Sequence, residues 1–161
     1  MIKFLIFLQL ILVSNLYSFE LKCTFEEVYS DGSVQNGFFL IKDKKLRYEY
    51  NSESLFTIFH NNERFFLVKN NDKEIINTIN ENTEIIKELL NIANSYPNIE
   101  QEYVSEGLNI KLEKNSKGNF LKRISILSTN IKMSIYINDC INSKINKRYF
   151  IHNPFFDYKF D

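Results

Sequence analysis

The chain of 161 residues has no tryptophan, four glycines, two prolines, two cysteines and two histidines. Each scarcity excludes something. Four glycines leave little from which to build a phosphate-cradling loop, and neither GxSxG, HExxH nor a glycine-rich nucleotide motif occurs. Two cysteines without a CxxC, and without histidines at ligand spacing, offer no zinc site. His60 and His152 stand alone, and no local pattern pairs either with a nucleophile. The charge is also without bias. Twenty basic residues balance twenty acidic ones, so there is no positive field to hold nucleic acid. The short basic run Lys144–Arg148 splits between two faces if extended. Glu26 and Glu27 look like a carboxylate pair, yet neighbours on a strand point to opposite faces. Nothing here reads as an enzyme, a metal protein or a cofactor binder.

What is present begins at the N-terminus. Lys3 supplies a positive start, Phe4–Val13 is an apolar run broken only by Gln9, and Ser14–Ser18 is a small polar exit. A run this short does not span a bilayer core of about 30 Å. The pattern predicts a secretory signal peptide over residues 1–18, cleaved near Ser18, and a place outside the cytoplasm; Leu16 is large for its position before the cut, so an uncleaved anchor is the alternative. Glu20-Leu21-Lys22 before Cys23 lacks the small and apolar residues that lipid attachment requires. Residues 19–161 are expected to form a single domain. In an exported chain, two cysteines suggest one disulfide, Cys23–Cys140, worth about 4–5 kcal/mol by chain entropy. Two buried free thiols are the alternative.

Fifteen Phe and nine Tyr then need burial or something to line. Apolar alternation dominates the order in which they occur. Phe19, Leu21, Cys23, Phe25 and Tyr29 share one face of a first strand, and Asp31-Gly32 turns it. Val34–Lys42 returns, with Phe39 and Ile41 opposite to Phe38 and Leu40. Leu46, Tyr48 and Tyr50 alternate next, and Leu55–His60 and Glu63–Lys69 form a hairpin around Asn61-Asn62. Glu74–Ile79 is a weaker strand. The period then changes. Asn82 or Thr83 caps a helix to about Asn94, with Ile85, Ile86, Leu89, Leu90 and Ala93 in one stripe. Pro97 prevents its continuation. Strands are predicted over Gln101–Glu106, Leu108–Lys114, Phe120–Ser128, Ile131–Asn138, Lys144–His152 and, after Asn153-Pro154, Phe155–Phe160. This is a mainly β (α+β) antiparallel meander with one covering helix. The internal helix and two-sided polar strands do not suit a transmembrane barrel.

From Asp31 onward the order of pieces resembles the periplasmic lipoprotein carriers, the LolA-like family. Asn36–Ile41 resembles that family's G-x-hydrophobic second strand, and Lys42–Tyr50 (KDKKLRYEY) its RPxxhRFEY segment. Phe56–Leu67 is similar to its hhhhxDGxxhxhh hairpin, Ile135–Asp139 to its late hxhxD turn, and Asn153–Phe160 to its closing P-x-x-F-x-F. The likeness covers about 120 residues and departs in places. The first strand starts at once where family members open with a helix, Lys42-Asp43 stands for Arg-Pro, and Asn61-Asn62 for Asp-Gly.

The resemblance implies a curved, incompletely closed antiparallel half-barrel with a helical lid over an apolar concavity. It implies a monomer that shields lipoprotein acyl chains, or a related lipid, between the inner and outer membranes. Its partners would be an inner-membrane lipoprotein-release ATPase and an outer-membrane acceptor. Lys42 would stand where an arginine helps hold the lid. The expected groove comprises Leu46, Tyr48, Tyr50, Phe56, Ile58, Phe65 and Leu67 from the sheet, and Ile85, Ile86, Leu89 and Leu90 from the helix. Arg47, Glu49, Thr57 and Arg64 alternate with the sheet residues, so that one face is apolar and the other wet. A non-catalytic envelope binding module that kept the sheet and lost transfer is the alternative.

Overall fold

The computed structural model describes residues 20–61, 64–76, 83–105, 107–116 and 120–152. The expected signal peptide and the closing strand Phe155–Phe160 lie outside them. Ten strands form one antiparallel sheet: β1 (Glu20–Tyr29), β2 (Val34–Lys42), β3 (Lys45–Tyr50), β4 (Phe56–Asn61), β5 (Arg64–Lys69), β6 (Ile75–Ile76), β7 (Glu102–Ser105), β8 (Leu108–Lys114), β9 (Leu121–Ser128) and β10 (Lys132–Ile141). Their spatial order is β6-β5-β4-β3-β2-β1-β10-β9-β8-β7. The sheet does not close; β6 and β7 are its edges. Helix α1 (Thr83–Ser95) lies in the connection between those two edge strands. This open antiparallel sheet with one helix fits the meander and covering helix expected from the alternation.

The topology places the two ends of the described chain side by side. The first strand pairs with the tenth, joining a six-stranded meander to a four-stranded one along a single seam. Cys23 and Cys140 are disulfide-bonded across this seam, with Cα atoms 4.2 Å apart. A bulge makes the bond possible. Lys22 pairs with Ile141 but Thr24 with Asn138, so β10 carries one extra residue there. Asp139 takes up the irregularity with φ 46°. The extra residue reverses the facing of the strand beyond it, so Cys140 joins the side of Ile135 and Ile137. The strand runs on to Ile141 rather than ending at Asn138.

The core lies on one face of the sheet, beneath the helix. Leu21, Cys23, Phe25, Phe39, Ile41, Tyr48, Ile110, Ile126, Ile135 and Ile137 belong to it, with Leu90, Ile92 and Ala93 from α1. Gly37 sits opposite Phe25. A Cβ there would lie 2.0 Å from the Glu49 carbonyl and 2.5 Å from the Phe25 ring. Only glycine lets that ring lie across β2.

The opposite face corrects two expectations. It is not simply wet. Phe38, Leu40 and Phe59 are buried there, and so are Arg47 and Thr57. The guanidinium of Arg47 stands over the rings of Phe38 and Phe59 at 5.6 and 5.4 Å, pairs with Glu49, and donates to the Tyr149 carbonyl. The cover comes from Lys144–His152, which is not a strand. It has a 3-10 turn at Lys147–Phe150, with the Asn146 side chain accepting from the Arg148 N–H at 3.1 Å. Alternation in this segment has no strand partner to pair with. Instead Ile145 and Phe150 bury themselves against Phe38 and Leu40.

Candidate functional site

The inner face is built by cross-strand register. Tyr48 pairs with Phe39 on one side and Ile58 on the other, Ile58 pairs with Leu67, and His60 with Phe65. Directly opposed residues share a face. Leu46, Tyr48, Tyr50, Phe56, Ile58, Phe65 and Leu67 therefore line one side of β3–β5, the register expected from the sequence. Leu46, Tyr48 and Ile58 are buried there, whereas Tyr50, Phe56 and Phe65 are half-buried against the core. Leu67 is also half-buried.

From the helix, Leu90 is buried, while Ile85, Ile86 and Leu89 are half-buried against the same core. The helix is seated by its second half. Ile92 and Ala93 are 1% and 3% exposed, and Ile92 lies outside the expected stripe. Spacing reveals it: Leu89, Ile92 and Tyr96 follow i, i+3, i+7.

Aromatic rings fill the interior. Phe25 stacks on Tyr48 with centroids 4.1 Å apart, and Phe39 is parallel to Tyr48 at 6.3 Å. Tyr50 meets Phe25, Tyr48 and Phe56 edge-on at 5.4–5.7 Å. Phe120 continues the series from Phe39 to Tyr96 beyond the helix.

In this apolar setting sits a carboxylate. Glu27 is 2% exposed. Its Oε1 accepts from Tyr48 at 2.5 Å and Tyr50 at 3.2 Å. Its Oε2 accepts from Tyr29 at 2.6 Å and Tyr50 at 3.0 Å. Three hydroxyl donors thus serve one buried acid, and no cation pairs with it among the described residues. Burial, reinforced by the Glu27 carboxylate, pushes the Tyr29 phenol up to about 12 and raises the Tyr48 and Tyr50 phenols well above the ordinary tyrosine value. The sequence carried the signal, because alternation through residues 21, 23, 25, 27 and 29 puts Glu27 on the apolar face.

A cleft of about 440 Å³ opens between α1 and the β2–β3 turn, β4 and β5. Phe65 and Leu90 form its apolar part; Lys44, His60, Lys87, Asn91 and Asn94 complete its lining. His60 is tied down, its Nδ1 being 3.0 Å from the Lys44 carbonyl and its ring 4.5 Å from that of Phe65.

Lys42 is elsewhere. Its Nζ pairs with Glu20 at 2.7 Å and donates to the Ile145 carbonyl at 2.7 Å. Burial opposes ionisation of Glu20, but the Lys42 ammonium and the Ile145 N–H together hold its carboxyl below the usual range. The lysine expected at the lid thus anchors the C-terminal cover on the outer face. Among the described residues no helix is long and apolar enough to cross a membrane. A scan against protein-family models finds no match to this chain, and a search of curated proteins finds no significant relative.

Proposed function

We propose that the protein is a non-catalytic periplasmic carrier that shields the acyl chain of a lipoprotein, or of a related amphiphile, between the two membranes. The observation that carries this reading is the unequal seating of α1. Leu90, Ile92 and Ala93 are buried, but Ile85, Ile86 and Leu89 are only half-buried against the core, as are Tyr50, Phe56 and Phe65 of the sheet. An acyl chain laid there covers apolar surface on both sides. Burial of each CH₂ contributes about 0.8 kcal/mol, so a sixteen-carbon chain gains roughly 12 kcal/mol at full coverage. The adjoining cleft of about 440 Å³ falls in the size range of small-ligand sites. A single helix over an open sheet suits a lid that must also release its load. The disulfide fits an oxidising compartment. The inner-membrane release ATPase and outer-membrane acceptor follow from the carrier role.

A second reading has its own support. The Phe25–Tyr48–Phe39 stack is a filled core rather than a channel. A packed interior favours an envelope interaction module that retains the sheet without lipid transfer. Native mass spectrometry of protein purified from the periplasm separates the two. Bound lipid mass, with stoichiometric displacement of a neutral fluorescent dye by a sixteen-carbon fatty acid, supports the carrier. No lipid mass and no displacement returns the protein to the interaction module.

A further inference from the structure

The cleft beside α1 has chemistry that an acyl chain alone does not need. Among the described residues its lining contains two lysines, a histidine and two asparagines, and no acidic residue. Lys69, Lys111 and Lys122 on other surfaces each face a glutamate. Lys44 and Lys87 face none among the described residues. Resting on the carrier reading, we infer that the cleft recognises the anionic head of the cargo. A carboxylate or phosphate would lie between Lys44 and Lys87, with the start of its tail against Phe65 and Leu90.

The backbone presents Lys44 firmly. Asp43 and Lys44 adopt φ 49° and 61°, consecutive left-handed residues in the two-residue turn between β2 and β3. That turn matches the twist of an antiparallel pair and fixes where the side chain starts. It is fastened again from β4. The Lys44 carbonyl can only accept, so His60 donates to it through Nδ1–H. The imidazole plane is thereby set, with Phe65 against it. Lys87 approaches from α1, one turn before Asn91 and two before Asn94. The cleft thus offers ammonium and amide donors from two separate elements, and an apolar patch beside them. An anion with a hydrocarbon tail satisfies both parts. A neutral diacylglycerol uses only the patch, and inorganic phosphate only the donors.

The test uses the secreted chain, a neutral fluorescent dye and four competitors: hexadecanoic acid, hexadecyl phosphate, hexadecanoic acid methyl ester and inorganic phosphate. The acid and the alkyl phosphate are expected to displace the dye about tenfold more tightly than the ester at low salt, as two partly exposed ion pairs allow. The difference should shrink as salt screens it. Lys44→Gln/Lys87→Gln, two exposed substitutions, is expected to erase the difference while leaving ester affinity and the melting temperature unchanged. Equal affinity for acid and ester in the unmodified protein overturns the head-recognition proposal and leaves the carrier standing. So does a difference that the double variant retains. Inorganic phosphate competing as well as hexadecyl phosphate makes the cleft a free-anion site and likewise overturns it. Displacement by none of the sixteen-carbon compounds overturns both readings.

Discussion

The Tyr48 hydroxyl donates to Glu27 Oε1 at 2.5 Å on the core face of the sheet. The two residues come from β3 and β1, separated by β2, and both are almost wholly buried. A charged acceptor in such a place is stable only while its donors hold. Tyr48→Phe removes one donor and keeps the ring on Phe25. The expected cost is about 1.5–3 kcal/mol, the range for hydrogen bonds to charged groups. In a Glu27→Gln background the same change is expected to cost about 1 kcal/mol, because the acceptor is then neutral. Urea unfolding of the four proteins in a double-mutant cycle measures the coupling. Equal costs in both backgrounds would mean that the charge is not what Tyr48 serves. Tyr48→Glu, by contrast, sets a second carboxylate beside Glu27 and is expected to unfold the domain. It cannot report on ligand binding.

The same cluster sets the behaviour in alkali. Burial first, and the Glu27 charge second, raise the phenols of Tyr29, Tyr48 and Tyr50. A raised acid binds its proton more tightly in the folded chain than in the unfolded one. Its contribution is complete below the unfolded pKa, about 10 for tyrosine, and is lost as pH rises above that. Stability is therefore expected to fall steadily from about pH 10 to 12, where Tyr29 itself titrates. Urea midpoints at about pH 9, 10 and 11 test this. Ultraviolet titration should show the buried phenols ionising only with unfolding. A flat midpoint over this range would contradict the burial of the cluster.

Much of this fold was legible in the pattern of residues, and the failures have physical causes. Strand positions follow from alternation because side chains on a strand point to opposite faces, and the shared face of Leu46–Leu67 follows from the same rule, but the β1–β10 pairing does not. Alternation also existed in Lys144–His152, yet no strand pairs with it, so the segment packs by Ile145 and Phe150 instead. Glu27 stands out of the pattern, because a charge on an apolar face contradicts it. Its three partners come from residues 29, 48 and 50, which only the register brings together. The bulge at Asp139 leaves no period in the sequence at all. Lys42 matched a family position in order, but its facing on β2 sends it to the outer side with Phe38 and Leu40. Lys44 and Lys87 had no visible link, since a hairpin turn and a helix meet only in three dimensions.

The helix should respond unevenly to truncation. Ile92 is 1% exposed, whereas Leu89 is half-buried. Ile92→Ala leaves a cavity between α1 and the sheet and is expected to cost about 2–5 kcal/mol. Leu89→Ala is expected to cost under about half as much, because less apolar surface is lost there. In the carrier reading the order reverses for binding. Leu89→Ala should weaken fatty-acid affinity more than Ile92→Ala, measured at a temperature where both are folded. Similar stability losses at the two positions would mean that the first half of the helix is seated as firmly as the second.

Removal of the disulfide should weaken the seam of the sheet above all. Cys23 and Cys140 are separated by 117 residues along the chain and bonded across β1 and β10. Every other strand pair joins neighbours within one meander, so this pairing alone unites the two halves of the sheet. Removing the cross-link frees the unfolded chain by about 4–5 kcal/mol in the entropy account. It also takes away two side chains from the core side of that seam. Cys23→Ala/Cys140→Ala is expected to lower stability by about 2–5 kcal/mol, with the strands still paired. Reducing the unmodified protein should cost less than the double substitution, since it breaks the same link but keeps both side chains in the core. Hydrogen exchange should place the new weakness first in β7–β10, the smaller of the two meanders. Two free thiols in the unfolded, unreduced protein would refute the bond itself. An intact bond whose removal costs nothing would mean that backbone pairing alone holds the seam.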